Sequence, residues 1–301
     1  MRDSFLIVLA TLRRTLNKSF PMDAAEESDT TSLDEVLEFA KSLAIEVGKR
    51  ALEMRDAGLL TQDYKESTEL VTSADLVVSR MIENGIKERY PKHEFFTEES
   101  EGAADRRPDL GEPTWIIDPI DGTVGYARGH FQFCISIALC MGGEIQVGVV
   151  YCPALDELFT AIKGNGAYLN GNPIRVSATD HLKNSLVATG FPHGWEGIDR
   201  IVARLGKVRK GCRDVRRSGS AAFDLVWVAC GRIDAYYEEG TKAWDICAGK
   251  LIAIEAGADH GFFDDNLKNE LSEIRGYAIL TANPLVFPDL LTILDIRSDK
   301  D

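Results

Sequence analysis

The sequence predicts an α+β fold, because two kinds of apolar pattern alternate along the chain. Stretches with apolar residues at helical spacing follow two capping-box starts, at Ser32 and at Thr72. Short β-rich runs follow, and two of them, 131–140 and 144–152, are joined by Met141-Gly142-Gly143, which predicts a hairpin. The sequence contains no repeat that would indicate a solenoid.

Residues 32–301 are predicted to form a single domain, with an N-terminal α+β part over about 32–180 and a C-terminal α/β part over about 181–301. The chain has 301 residues, enough to bury a sizeable core. In residues 1–31 an apolar run precedes basic residues, the reverse of the order in a secretory signal. We expect a disordered N-terminal extension, and organelle targeting by it stays open.

Composition argues against several classes of protein. The net charge is −14, whereas a nucleic-acid binder needs a basic face. A small anionic substrate remains compatible with this charge, because bound divalent cations can invert the local field. The six cysteines form no CxxC pair and lie mostly in apolar runs, which indicates free thiols in a reducing, cytoplasmic setting. No apolar run approaches the roughly 20 residues of a membrane span.

The N-terminal half contains two predicted helices and a series of strands. The first helix starts at Ser32-Leu33-Asp34-Glu35 and stops at Gly58, and a polar, loop-like stretch follows at 64–68. The second helix starts at Thr72-Ser73-Ala74-Asp75 and ends before Pro91. The strands predicted after it are 93–97, 115–118, 131–140, 144–152, 158–162 and 167–169.

The C-terminal half is predicted to alternate helices with strands. The predicted helices are 198–208, 222–230 and 288–296, and the predicted strands are 233–237, 260–264 and 277–281. Glu238 and Glu239 are expected at the end of a strand. Asp245 precedes a further helical run up to Ala256 and is most simply its N-cap. The same position also suits a metal ligand, and spacing alone does not decide between the two.

One stretch, Trp115-Ile116-Ile117-Asp118-Pro119-Ile120-Asp121-Gly122-Thr123, combines a buried strand with two carboxylates. Pro119 cannot donate to a sheet ladder, so the strand should end near Asp118. Gly122 allows a tight turn whose N–H groups suit a phosphate, and paired carboxylates suit Mg²⁺. A plain turn is the simpler interpretation, but it needs neither the second carboxylate nor the hydroxyl of Thr123.

Two further segments carry polar groups toward the same region. Glu98 follows a predicted strand, and if that strand neighbours the one ending at Asp118, both carboxylates point into one cleft. Ser218-Gly219-Ser220 opens a helix, where N–H groups either hold an anion or are merely capped.

These segments together resemble the inositol monophosphatase family of Mg²⁺-dependent, lithium-sensitive phosphatases. The resemblance covers roughly residues 33–295, and the ordered set of motifs makes it specific. The segments that carry it are Leu70-Val71-Thr72 with Asp75, Glu98-Glu99-Ser100, Trp115 to Thr123, Asp234-Ala235-Tyr236-Tyr237-Glu238, and Trp244-Asp245 with Ala248-Gly249.

The resemblance implies a layered α-β-α-β-α sandwich of the inositol monophosphatase / fructose-1,6-bisphosphatase type, with the site between its sheets. It implies that two or three Mg²⁺ ions are bound by Glu98, Asp118, the Ile120 carbonyl, Asp121 and Asp245. It further implies that Thr123, paired with Asp75, positions the attacking water together with Glu98. Li⁺ inhibition and a homodimer are also expected.

The residues implied to face the substrate extend over several segments. They are Glu98, Ile120, Asp121, Gly122, Thr123, Gly219, Ser220, Ala221, Glu238 and Asp245, with Lys65 a further candidate. The sequence departs from the family pattern after Thr123, where Val124-Gly125-Tyr126 replaces Thr-Asn-Phe. This departure bears on the loop geometry and the substrate preference but removes no proposed metal ligand.

The resemblance implies an inositol-phosphate phosphatase, a phosphoric monoester hydrolase that acts on a small phosphorylated substrate. The alternatives within the fold are phosphatases of 3′-phosphoadenosine 5′-phosphate, fructose 1,6-bisphosphate, histidinol phosphate or NADP. An alternative of another class is a non-catalytic protein that binds a phosphorylated ligand or a partner. Ala235-Tyr236-Tyr237-Glu238 favours the inositol ester.

Overall fold

The computed structural model describes residues 32–65, 69–100, 111–192, 194, 197–263 and 277–294, and from Leu33 onward these form one compact unit. The predicted extension, residues 1–31, lies outside the described residues. Within the described part, the helices are α1 (Leu33–Asp56), α2 (Ser73–Arg89), α3 (Thr123–Ala127), α4 (Ile198–Gly211), α5 (Ala221–Ala229), α6 (Ala243–Glu255) and α7 (Phe287–Leu294).

The N-terminal half forms a seven-stranded sheet beside a small antiparallel hairpin. The hairpin pairs β1 (Gln62–Lys65) with β2 (Glu69–Thr72). The large sheet has its strands in chain order: β3 (Glu94–Thr97), β4 (Thr114–Asp121), β5 (Cys134–Met141), β6 (Glu144–Cys152), β7 (Glu157–Ile162), β8 (Ala167–Leu169) and β9 (Asn172–Pro173). Only β3 and β4 are parallel to each other among the paired strands described in this sheet.

The C-terminal half forms a five-stranded mixed sheet in which sequence neighbours are often not spatial neighbours. Its strands are β10 (Leu186–Thr189), β11 (Asp214–Arg216), β12 (Ala235–Thr241), β13 (Asp259–Phe262) and β14 (Tyr277–Ala282). Their spatial order is β11-β10-β12-β14-β13. Because β10 and β12 are parallel neighbours, the end of β10 lies beside the middle of β12.

Three apolar clusters hold these elements in layers. Helices α1 and α2 cover one face of the large sheet, where Trp115 and Ile117 point. Ile116 points to the other face and packs in a cluster with α5, α6 and residues of the second sheet. Helices α4 and α7 cover the outer face of that second sheet. The layered α-β-α-β-α sandwich and the α+β class are therefore confirmed.

Four differences between the predicted and the observed elements bear on the candidate site. Residues 64–65 belong to strand β1 rather than to a loop. Strand β4 does not end at Asp118 but continues across Pro119 to Asp121, because an irregular register there spares the proline from donating to the ladder. Strand β12 continues to Thr241, so Glu238 and Glu239 lie within it rather than at its end.

The fourth difference concerns Asp245, which is not the N-cap of its helix. Helix α6 begins at Ala243, so Asp245 is its third residue. Its Oδ2 accepts a hydrogen bond from the Lys242 N–H at 2.6 Å, the reciprocal half of a capping box. The N-cap interpretation was therefore wrong in position, although the side chain does satisfy an N–H group at the helix start.

Other features agree with the prediction. The capping box of α2 is present, with Thr72 as the N-cap. The hairpin between β5 and β6 turns at Gly142 and Gly143, both with positive φ. All six cysteines are free thiols. In the part of the chain that is described, no helix is long and apolar enough to cross a membrane.

Candidate active site

The Asp75 carboxylate links the start of α2 to the turn after β4. Its Oδ2 accepts hydrogen bonds from the Thr72 N–H at 2.8 Å and the Thr72 hydroxyl at 2.5 Å. Its Oδ1 lies 3.0 Å from the Thr123 hydroxyl, which is also 3.0 Å from the Ile120 carbonyl. Burial raises the pKa of Asp75 against the lowering effect of the hydrogen bonds from Thr72 and Thr123. Asp75, which belongs to the capping box of α2, thus also contacts the Thr123 hydroxyl.

The irregular end of β4 places the carboxylates of Asp118 and Asp121 in the interior. Asp118 Oδ1 accepts the Ile120 N–H at 3.0 Å. Asp121 Oδ2 accepts the Ser220 hydroxyl at 2.7 Å and the Ala222 N–H at 2.6 Å. Both of these bonds reach Oδ2, so neither of them occupies Oδ1 of Asp121.

Gly122 brings the turn after β4 against the start of α5. Its φ is +93°, and a Cβ there would lie 2.9 Å from the Gln132 carbonyl oxygen and 3.0 Å from Ser220 Cβ. A side chain at this position would therefore be strained and would push the two segments apart. Glycine here lets the N–H groups at the start of α3 lie next to Gly219 and Ser220.

Glu98 and Asp245 approach the same centre from β3 and α6. Strands β3 and β4 are parallel neighbours, and the Glu98 N–H donates to the Ile117 carbonyl at 3.2 Å. Helix α6 is fixed to the sheet because the Ser136 hydroxyl donates to the Trp244 carbonyl at 3.1 Å. Three separate segments, the end of β3, strand β4 and helix α6, therefore bring Glu98, Asp118, Asp121 and Asp245 into one region between the sheets.

The electrostatics show that these carboxylates repel one another. Burial raises the pKa of Asp118 well above its ordinary value, and the negative charges of Glu98, Asp121 and Asp245 raise it further. Burial also raises the pKa of Asp121 to about 6, against the lowering effect of hydrogen bonds from Ser220 and Ala222. For Asp245, burial first and then the Asp121 charge raise the pKa well above its ordinary value. A cation at this place would relieve that repulsion.

The donor chemistry fits a hard divalent cation, which takes carboxylate, carbonyl and water oxygens. Across the described residues, no three His, Cys, Asp or Glu side chains are grouped closely enough to hold one ion by themselves. An ion would therefore complete its shell with main-chain carbonyl oxygens, such as that of Ile120, and with water.

Glu238 lies on the C-terminal side of the same region. Burial raises its pKa to about 7, whereas the Tyr236 hydroxyl and the charge of Arg217 lower it. The Asp121 and Asp245 carboxylates each interact electrostatically with Glu238. The Arg217 guanidinium lies against Gly219, so that a Cβ at Gly219 would overlap it.

Sequence reasoning assigned no site role to three residues of this region: Asp224, Tyr236 and Cys134. Asp224 is buried on α5, where it accepts the Ser218 hydroxyl at 2.5 Å. Burial raises its pKa well above the ordinary value, and the charges of Glu238 and Asp121 add to the shift. Its place in an otherwise apolar helix, four residues after Ser220, was a signal that could have identified it.

The structure brings most of the predicted site residues together. Ala221 begins α5, and its N–H acts on Asp121 with that of Ala222. The side chain of Lys65 lies outside the described residues. The departure Val124-Gly125-Tyr126 is accommodated in α3, where the Tyr126 hydroxyl donates to the Ala51 carbonyl at 2.7 Å and Val124 is exposed.

Comparison with known proteins agrees with this geometry. The sequence model of the inositol monophosphatase family matches residues 32–285. The chain belongs to that family. Inositol monophosphatase 2 of Solanum lycopersicum is 43% identical over 222 residues, which cover 71% of this chain and 84% of that protein. The family consists of phosphatases, so this protein is a phosphoric monoester hydrolase.

Some relatives and solved structures that match this chain have another name. The protein of Escherichia coli (strain K12) called Nus factor SuhB is 40% identical over 194 residues, 64% of this chain and 72% of that protein. The crystal structure of the extragenic suppressor protein suhB from Bartonella henselae matches with a TM-score of 0.78 at 31% identity. That match covers 87% of this chain and 99% of the Bartonella chain.

Proposed function

We propose that this protein hydrolyses inositol monophosphate to myo-inositol and phosphate, with Mg²⁺ as its cofactor. One observation carries the proposal: buried carboxylates from separate segments raise each other's pKa beside the Thr123–Asp75 pair. Membership of the inositol monophosphatase family supports the choice of substrate.

Bound Mg²⁺ supplies two things to such a reaction, stabilisation of charge on the phosphoryl oxygens and a water of lowered pKa. Glu98, Asp118, Asp121, Asp245 and the Ile120 carbonyl would hold the ions. Two or three ions are the family expectation, and Li⁺ at millimolar concentration is expected to inhibit.

The protein's own groups would orient the water and the ester. The Thr123 hydroxyl, 3.0 Å from Asp75 Oδ1, would accept or relay the proton of the attacking water, with Glu98 assisting. The N–H groups of Gly122 and Thr123 would hold the phosphate, because both lie at the start of α3 in a turn with positive φ. Gly219, Ser220, Ala221 and Glu238 would face the ring, with Glu238 accepting hydroxyl hydrogen bonds.

A non-catalytic role is the second candidate, and the relative named Nus factor SuhB favours considering it. The retained set of carboxylates with Thr123 opposes a purely binding function, because ligand binding alone needs no grouping of repelling charges. A homodimer is proposed from the family expectation alone.

The testing experiment measures phosphate release from inositol 1-phosphate, 3′-phosphoadenosine 5′-phosphate and fructose 1,6-bisphosphate, each with Mg²⁺ and with excess EDTA. We expect Mg²⁺-dependent release that favours the inositol ester. A preference for either other substrate would contradict the substrate assignment and keep the metal site. No release from any of the three, with inositol 1-phosphate still bound, would establish the non-catalytic alternative.

A further inference from the structure

Strand β12 separates two pairs of similar residues onto opposite faces. Tyr236 packs in the cluster between the two sheets, whereas Tyr237 packs in the outer cluster with α4 and α7. Glu239 also points outward, where it accepts hydrogen bonds from Arg200 and forms an ion pair with Arg204. Glu238 points inward like Tyr236, since alternate residues of a strand share a face.

The Tyr236 hydroxyl holds one oxygen of Glu238. It donates to Glu238 Oε2 at 2.5 Å, and the tyrosine side chain is fully buried. Burial, followed by the charges of Glu238, Asp224 and Asp121, raises the pKa of Tyr236 well above its ordinary value. The phenol therefore stays protonated as a donor, and it engages Oε2 while Oε1 can accept from a ligand.

Gly190 contacts the Glu238 carboxylate from another segment of the chain. It directly follows Thr189, the last residue of β10, which pairs with Tyr237 of β12, so Gly190 lies next to Glu238. A Cβ at Gly190 would overlap all three atoms of the Glu238 carboxylate group. The carboxylate thus lies directly over the Gly190 backbone, and any side chain there would displace it.

We propose that Tyr236 and Gly190 are positioning residues that fix the Glu238 carboxylate for a polyhydroxylated ring and thereby set the preference for a polyol phosphate. This inference rests on the proposed function, because Glu238 must be the group that meets the ring. It predicts that disturbing either residue weakens recognition of ring hydroxyls and leaves the chemistry at the phosphate largely intact.

The first test compares Tyr236→Phe with its outward neighbour, Tyr237→Phe, on two substrates. Inositol 1-phosphate has ring hydroxyls, and p-nitrophenyl phosphate has none. We expect Tyr236→Phe to raise KM for inositol 1-phosphate about tenfold, the effect of weakening a hydrogen bond to a charged group, while kcat changes less than about threefold. KM for p-nitrophenyl phosphate should stay the same, and Tyr237→Phe should leave KM unchanged for both substrates.

A double-mutant cycle tests whether Tyr236 acts through Glu238. In a Glu238→Ala background, Tyr236→Phe should have no further effect on KM for inositol 1-phosphate, because the group that it positions is absent. Equal effects of Tyr236→Phe with and without Glu238 would overturn the proposal.

Gly190→Ala supplies an independent test from the other strand. It should raise KM for inositol 1-phosphate at least as much as Tyr236→Phe, and the additional change Glu238→Asp should recover part of the loss, because the shorter side chain retreats from the new methyl group. Gly190→Ala without such a loss would also overturn the proposal. Thermal unfolding of each variant identifies any that fails to fold. If Gly190→Ala fails to fold, Tyr236→Phe, which keeps the buried ring, still tests the proposal.

The outcomes separate this inference from the proposed function. If the wild type hydrolyses inositol 1-phosphate and Tyr236→Phe lowers the activity on both substrates equally, the positioning role is wrong and the function stands. If the wild type hydrolyses p-nitrophenyl phosphate but discriminates against inositol 1-phosphate, the substrate assignment is wrong and the inference falls with it.

Discussion

Asp118 is a carboxylate whose surroundings disfavour its charge. Its side chain is 2% exposed, and Glu98, Asp121 and Asp245 all add negative potential to the burial that raises its pKa. Repulsion of this kind destabilises a folded protein unless protonation or a cation relieves it. A structural role would be served better by an amide, so the arrangement supports the proposed cation site.

Asp118→Asn should abolish turnover without loss of folding. The amide oxygen can still accept the Ile120 N–H, now 3.0 Å away, while the negative charge disappears. We expect kcat/KM for inositol 1-phosphate to fall by at least about 100-fold, since even outer-shell partners of metal ligands cost about 10–100-fold. Asp63→Asn, on the exposed hairpin, should match the wild type. Near-normal activity of Asp118→Asn would contradict the metal assignment.

Thr123 offers a test of the hydroxyl separate from the metal. Thr123→Val keeps the shape of the side chain but removes the hydroxyl that lies 3.0 Å from Asp75. We expect kcat to fall about 10²- to 10⁴-fold, the usual contribution of general acid–base catalysis, with little change in KM. Thr123→Ser, which restores the hydroxyl, should recover most of the activity. Steady-state kinetics decide the matter, and a serine variant as inactive as the valine variant would count against the role.

At the level of single residues, the sequence indicated the candidate acidic ligands but not the buried residues that lie around them. Asp118, Asp121 and Thr123 stand in one short motif, so their proximity follows from local spacing. Asp224 and Tyr236 reach the region only because α5 and β12 pack against the first sheet. A polar residue in an apolar helix, as at Asp224, is the one local signal, and it does not distinguish a site residue from a satisfied buried core residue.

Among the elements, α6 depends on one close approach to the large sheet. A Cβ at Gly148 of β6 would lie 2.9 Å from the Ala248 carbonyl oxygen and 3.3 Å from Ala248 Cα. The absence of a side chain at Gly148 lets the helix backbone rest on the strand. Since α6 also carries Asp245, this contact sets both the packing of the core and the position of one candidate ligand.

Gly148→Ala should therefore destabilise the fold. Inserting a methyl group against backbone atoms forces α6 away from β6, at a cost of about 1–3 kcal/mol in the free energy of unfolding. Gly206→Ala is the matched control, because Gly206 lies exposed in α4 with no atom near its added Cβ. That change should raise stability by roughly 0.5–1 kcal/mol. Urea unfolding measures both, and equal stability of the two variants would show that the close approach is unimportant.

The prediction of element boundaries failed where local sequence rules and tertiary contacts disagree. A proline indicates the end of a strand, yet β4 continues past Pro119 because the register shift removes the need for its N–H. An acidic pair indicates a solvated end, yet Glu238 and Glu239 lie within β12, because Glu238 accepts from the buried Tyr236 hydroxyl and Glu239 pairs with the buried Arg204. The exceptions at Pro119 and Glu238 occur at the candidate site, where the chain gives up local regularity to place charged groups.

For the whole molecule, the order of the strands decides what meets what. From β4 to β9, the chain order of the seven-stranded sheet follows from successive antiparallel pairs, of which the sequence predicted one hairpin. The order β11-β10-β12-β14-β13 has no such local origin, and it alone sets Gly190 beside Glu238. The layered arrangement was predicted by resemblance to a family, because single-sequence patterns do not specify long-range pairing.

The buried carboxylates also make a prediction about the stability of the whole molecule. The pKa values of Asp121 and Glu238 are raised to about 6 and about 7, and those of Asp118 and Asp245 are raised as well. Because these pKa values are higher in the folded state than in the unfolded state, the folded state binds more protons. The stabilisation from each carboxyl group is therefore complete below its unfolded-state pKa. It is lost as pH rises through the folded-state pKa, by up to about 1.4 kcal/mol per pH unit for each group.

Mg²⁺ should offset this loss, because it binds the ionised carboxylates. In EDTA we expect the Tm to be lower at pH 8 than at pH 5.5, and Mg²⁺ should raise the Tm strongly at pH 8 but little at pH 5.5, where protons compete for the same oxygens. Sodium chloride of equal ionic strength controls for screening. Asp118→Asn, with one repelling charge fewer, should show a shallower dependence of Tm on pH and a smaller response to Mg²⁺. An equal response to Mg²⁺ at both pH values would mean that the ion stabilises the protein somewhere other than at these carboxylates.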